Sequence, residues 1–429
     1  MRMNKLSQLG KEMPSKFGIV GTLWCLYLGV APVFWLPNLD FSTIQTIKYA
    51  LIYMAVGATF IIAIFKRSMH FSWGIAGLSG FGLVLIFSLP AVFLSELSTG
   101  LSRIIDLLYA VIVFSSFFLL TRAKYNVEKI FKISALILSC FAAYSLAGML
   151  SGGSSPWRQP AELGTFDVTA AGFGGLRTGW SNGLSLYMAF SLIWIYSKKP
   201  RNIFIKVLAA IIMAGLIFSS QYMVGGRAGL LSSIFIFLIL AHYLIPPANR
   251  ALVYIAFSVV TAAAAGQAVY EHLRIDRLMS DENASVDKLD HFSANRITTY
   301  RFAIKKIGES PLFGHGFGRV NVVGDSEIHN VWLKHAAEAG LFFLASELLL
   351  IWKLMVPLPG VKRARKSQRA LTDNARLYLF CWATLFGGLI ISMLEPRMLF
   401  GSFQSSAIWW CAAGALAALK KQSNRAVFK

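Results

Sequence analysis

Apolar runs of about 18 to 22 residues, each long enough to cross a hydrocarbon core of roughly 30 Å as a helix, recur throughout this chain. About twelve can be placed. They lie near Gly18–Leu36, Tyr49–Phe65, Trp73–Leu94, Ile104–Leu120, Ile130–Leu150, Gly183–Tyr196, Ile203–Ser219, Gly229–Ile245, Ala251–Tyr270, Leu341–Leu358, Leu377–Leu394 and Ser406–Leu419. Backbone in lipid must satisfy its own hydrogen bonds, so runs of this length predict helices. Charged residues make up 14% of the chain, against roughly 25% in soluble domains. The predicted fold class is an all-α integral membrane protein, one polytopic domain over residues 1–429 set in a lipid bilayer.

Lysine and arginine are held on the cytoplasmic side of membrane proteins. Here they crowd alternate connections: Lys5, Lys11 and Lys16; Lys66 and Arg67; Arg122, Lys124 and Lys129; Lys198, Lys199 and Arg201; Lys362 to Arg376; and Lys420 to Lys429. The alternation predicts that both termini are cytoplasmic. It also absorbs nearly all of the net charge of +21, so topology accounts for the basic balance better than nucleic-acid binding does. The first apolar run is too long for a cleavable signal and lacks a small-residue cleavage site, so it is expected to remain as an anchor. Cys25, Cys140, Cys381 and Cys411 all fall inside predicted helices, which suits packing better than disulfides or a zinc site.

One long polar stretch interrupts the pattern, Glu271 to Gly340, between the ninth and tenth predicted helices and outside the cytoplasm. It holds five of the seven histidines: His272, His291, His315, His329 and His335. Long loops of this kind are usually functional or disordered. Shorter polar segments share its side, at Ser151–Ser181, Gln221–Arg227 and Glu395–Ser405.

Three arginines stand out among these segments. Arg177 lies in GLRTGWSNG, with Asn182 following it, and Arg227 lies in GGRAGLL, where the eighth predicted helix begins. Arg296 opens RITTYRFAI, which also holds Arg301; its apolar residues Ile297, Tyr300, Ile304 and Ile307 have helical spacing and predict a helix along the membrane surface. Guanidinium groups converging from separate segments would suit a diphosphate, neutralising charge on a leaving group. A simpler reading pairs each arginine with lipid phosphate or with an acid such as Asp106, Glu347 or Glu395.

In GDSEIHNVWLKHAAEAGLFF, Asp325 or Ser326 is predicted to cap a helix that Gly340 ends, which puts His329 in its first turn. A neutral imidazole there can accept a proton. His335 faces elsewhere by the 3.6-residue period. The chain has no His-Glu-x-x-His and no Gly-x-Ser-x-Gly nucleophile elbow, and the GHGFG after Pro311 reads as a turn.

The order RTGWSN, GGRAG, NRITTYRFAI with SPLFGHGFG, then HNVWL with EAGLFF, over Arg177 to about Ile351, resembles the O-antigen ligase and O-antigen polymerase superfamily of membrane glycosyltransferases. That resemblance implies a GT-C-like bundle with one large periplasmic loop late in the chain, residues 271–340 here. It implies transfer of a glycan from undecaprenyl diphosphate to a sugar hydroxyl, without metal or cofactor, in a bacterial inner membrane with the active site facing the periplasm. By the same resemblance Arg177, Arg227 and Arg296 bind the diphosphate and His329 is the general base, with Asn330, Asn182 and Arg301 in support. Lipid A core as acceptor would make the chain a ligase; a second lipid-linked glycan would make it a polymerase. A transporter for the same lipid-linked glycans is the alternative of another class.

Overall fold

The computed structural model describes residues 17–33, 39, 41–65, 75–150, 158–159, 169–170, 177–196, 203–245, 249–251, 254–255, 296–320, 328–356, 373–396, 399 and 406–427. Helices dominate. In chain order they are α1 (Gly18–Val30), α2 (Phe41–Phe65), α3 (Ile75–Leu94), α4 (Leu97–Arg122), α5 (Val127–Leu150), α6 (Arg177–Leu192), α7 (Ile203–Val224), α8 (Arg227–Leu244), α9 (Arg296–Glu309), α10 (Val331–Met355), α11 (Asp373–Leu394) and α12 (Ala407–Val427). Arg158–Gln159 and Thr169–Ala170 (β1 and β2) pair as a short antiparallel ladder that hydropathy gives no sign of.

Among the described residues, five helices are long and apolar enough to cross a membrane by length and composition: α2, α4, α5, α8 and α11. Shorter apolar stretches lie in α1, α3, α7 and α12. Each apolar run placed from the sequence falls on one of the helices above, except Ala251–Tyr270, which lies almost wholly outside the described residues. So does much of the stretch from Glu271 to Gly340, including His272, His291, Asp325 and Ser326.

The bundle packs through rings and small residues, as helices must when lipid is as apolar as their own side chains. Trp24 meets Phe117 edge-on, Phe117 stacks on Phe131, and Phe131 stacks on Phe190, which ties α1, α4, α5 and α6 together. Gly414 brings α12 against α4 so closely that a Cβ there would overlap the carbonyl oxygen of Phe114. The free cysteines Cys25, Cys381 and Cys411 are buried, while Cys140 is exposed.

Side-chain contacts fix the relative directions of the helices. Tyr243 meets Trp382, Phe235 meets Phe386, and Gly387 lies against Ser232 and Ile236, so α8 and α11 are antiparallel. The Thr384 hydroxyl reaches the Leu186 carbonyl of α6. Phe87 of α3 stacks on Phe342 while Gly80 abuts Leu350, so α3 and α10 are antiparallel too. At one end of the bundle the Lys420 ammonium donates to the carbonyls of Lys353 and Leu354, and Trp382 donates to Met355. The starts of α6 and α8, the last turn of α11 and the Gly340 corner of α10 occupy the opposite end.

α10 is broken there. Residues 331–339 and 341–355 are separate helical pieces, joined at Gly340 with φ 84° and ψ 173°. The GHGFG segment closes the break: His315 and Gly316 donate backbone N–H groups to the carbonyls of Ala337 and Glu338, and Leu341 donates to Pro311. Gly314, Gly316 and Gly318 all have positive φ, so the predicted turn is also the C-terminal cap of the first helical piece.

Candidate functional site

α9 packs on the first piece of α10 through a small core of Ala303, Val320, Ile328 and Ala337, with Phe302, Ile307 and Leu333 beside it. Thr299 and Ala303 are buried, whereas Ile304 is exposed, because the partner of α9 is α10 and not only a surrounding apolar medium. Arg296 opens α9 and Tyr300 stands one turn further on, donating its hydroxyl to the backbone carbonyl of His329 at 2.9 Å. Burial pushes the Tyr300 phenol above its ordinary value, so it stays protonated as this bond requires.

The position of His329 corrects the prediction. The residue that caps α10 is Asn330, whose side-chain oxygen accepts from the backbone N–H groups of Trp332 and Leu333 at 3.0 Å each. His329 therefore precedes the cap instead of standing in the first turn, since Asn330 satisfies the free N–H groups itself. The Asn330 amide also donates to the Met393 carbonyl at 3.2 Å, which holds this end of α10 over the last turn of α11.

Glu395, just beyond α11, joins the pieces. One carboxylate oxygen lies 3.5 Å from the Arg296 guanidinium and the other 3.8 Å from Nδ1 of His329. Its side chain is only 8% exposed, against 24% for Arg296 and 36% for His329. Nδ1 itself is buried and has no hydrogen-bond partner among the described residues, so the carboxylate is the polar group that faces it. From sequence, Glu395 was only one of three acids that could pair with an arginine. The signal available was its place immediately after an apolar run, where an acid must be paired or wet.

Arg177 and Arg227 are the first residues of α6 and α8. These helices start side by side: the Ser181 hydroxyl donates to the Gly226 carbonyl at 2.8 Å, and Gln221 of α7 donates to the Ser181 carbonyl at 2.9 Å. The contact of Gly387 with Ser232 sets depth. Glu395 lies about 12 Å beyond Gly387 and Arg227 about 8 Å beyond Ser232, in the same direction, at the helical rise per residue. All three segments thus end on one side of the bundle at comparable depth. The structure brings Arg296, His329 and Asn330 together around Glu395, and puts the starts of the helices carrying Arg177 and Arg227 at that same end. Arg177 is described only by its backbone.

The remaining candidates divide. Asn182 is buried in α6, its side-chain oxygen without a hydrogen-bond partner among the described residues. Arg301 is exposed on α9. His315 is engaged by the Lys306 carbonyl at 2.9 Å, and His335 by Glu347.

Two kinds of electrostatic environment result. Arg296 already has a carboxylate beside it, which lowers its attraction for a further anion. The N-termini of α6 and α8 lie at this end too, and helix starts favour anions. Fold and composition define the class, a multi-pass, all-helical membrane protein with a polar cluster at one end. No protein-family model matches the chain, and neither does any curated protein.

Proposed function

We propose that this protein is a membrane glycosyltransferase that moves a glycan from undecaprenyl diphosphate to a sugar hydroxyl, acting in a bacterial inner membrane with its site toward the periplasm and both termini in the cytoplasm. Lipid A core as acceptor, hence an O-antigen ligase, is the favoured form. The observation that carries the reading is the Glu395 carboxylate, which faces Arg296 on one side and His329 on the other.

The transfer needs the ring proton on Nδ1, which faces the Glu395 carboxylate at 3.8 Å, so that Nε2 is the free base. The acceptor hydroxyl attacks the anomeric carbon and its proton passes to Nε2. The bond from that carbon to the diphosphate oxygen breaks, the electron pair leaving on the diphosphate. Arg177, Arg227 and Arg296 take that charge, the first two at the starts of α6 and α8 and the third beside Glu395. Single displacement inverts the anomeric centre. A metal or cofactor has no part in the steps proposed.

Purified protein supplied with a defined undecaprenyl-diphosphate glycan tests the reading. Transfer to lipid A core supports the ligase form, and chain extension on a second glycan supports a polymerase. Absence of any covalent product would remove the enzyme reading in favour of a carrier, and retention at the anomeric carbon would remove single displacement. His329→Ala should abolish transfer with donor binding intact.

A further inference from the structure

The buried pair His335 and Glu347 takes no part in the chemistry proposed above, yet its geometry sets it apart. Residues twelve apart in a continuous helix are separated by about 18 Å along the axis. Here Nδ1 of His335 lies 2.8 Å from a carboxylate oxygen of Glu347, with both side chains buried. The contact exists because the chain turns at Gly340, where a Cβ would overlap the Leu312 carbonyl. Inside the corner the imidazole packs edge-on to Phe343, which packs edge-on to Phe317.

We propose that His335 and Glu347 are a positioning pair, a brace across the Gly340 corner that fixes the angle between the two pieces of α10 and so sets where His329 and Asn330 stand over Glu395. A buried polar pair adds little net stability compared with apolar residues of the same size, but it can favour one arrangement over its neighbours. The angle matters because of leverage. His329 stands at the end of an arm of roughly 15 Å from Gly340, and a rotation of about 20° would move it by about 5 Å. Misplacement of a reacting group by about 1 Å can already cost on the order of a hundredfold in rate. The consequence for transfer rests on the role proposed for His329; the brace itself does not.

The test uses nitroxide labels on cysteines placed at Thr298, exposed on α9 beside the Tyr300 that bonds His329, and at Leu97, exposed at the start of α4, with Cys140 replaced because it is the exposed native thiol. Pulsed electron–electron distance measurement on wild type should give one narrow distribution. Glu347→Gln keeps a hydrogen-bonding group toward Nδ1 and should stay close to it. Glu347→Leu fills the same space with apolar atoms, so it should fold, but its distribution should broaden or shift by about 5 Å. Its kcat should fall at least about tenfold with donor KM within about twofold, the pattern of lost positioning. His335→Phe serves as the same test from the other partner if Glu347→Leu does not insert. A leucine or phenylalanine variant with the wild-type distribution would overturn the brace. The distance reading needs neither donor nor acceptor, so it stands even if the chain transfers no glycan.

Discussion

Glu395→Gln keeps the shape of the side chain that joins the site and removes its charge. In the proposed transfer His329 becomes an imidazolium as it takes the acceptor proton, 3.8 Å from the Glu395 carboxylate. Two unit charges at that separation attract by about 4 kcal/mol at an effective dielectric of about 20. His329 is 36% exposed, and solvent screening at such a site removes about half of that, leaving about 2 kcal/mol. This is a loss of about 30-fold in kcat. Arg296 gives the prediction a second edge: freed from its carboxylate, it should bind a diphosphate no worse than before, so donor KM should hold or fall. Steady-state transfer assays with varied donor read both constants. A kcat within about threefold of wild type, or a rise in donor KM that accounts for the whole loss, would refute the reasoning.

Three further outcomes follow from the same geometry. Arg177→Ala, Arg227→Ala and Arg296→Ala should each raise donor KM about tenfold, a loss of about 1.4 kcal/mol of binding; donor titration of the three variants checks this. Gly340→Ala places a side chain in a backbone region open essentially to glycine and against the Leu312 carbonyl, so it should cost about 3 kcal/mol, read as a lower unfolding temperature in detergent. Tyr300→Phe removes the bond to the His329 carbonyl, worth about 1 kcal/mol. Because burial raises the Tyr300 phenol above 10.0, the stability tied to keeping it protonated is present below pH 10 and is lost as pH rises through the folded value. Unfolding measured from pH 8 to 11 should therefore fall less steeply in the phenylalanine variant.

Much of the site was legible as residue types without neighbours. The arginine at the start of α9, the histidine beside α10 and the arginine opening α8 can each be picked out because a charged or titratable group at the edge of an apolar helix needs a reason to be there. Their partners cannot be read in the same way. Asn330 caps α10, and cap preferences in sequence do not rank candidates that are all good. The contact of α9 with α10 was hidden for a related reason. Spacing identifies a stripe, but α10 approaches through Ala303, a residue small enough to let the helices meet.

The sequence by itself determined the class of protein, because hydropathy and helical length are local properties and lipid permits few alternatives to a helix. It also determined where basic charge gathers along the chain. Only the tertiary structure decided that Glu395 stands between Arg296 and His329, residues from three separated segments, and that His335 reaches Glu347 across a corner. Those pairings depend on the antiparallel setting of α8 against α11 and on the turn at Gly340. Such long-range geometry is fixed by packing across the whole bundle, which no local pattern encodes.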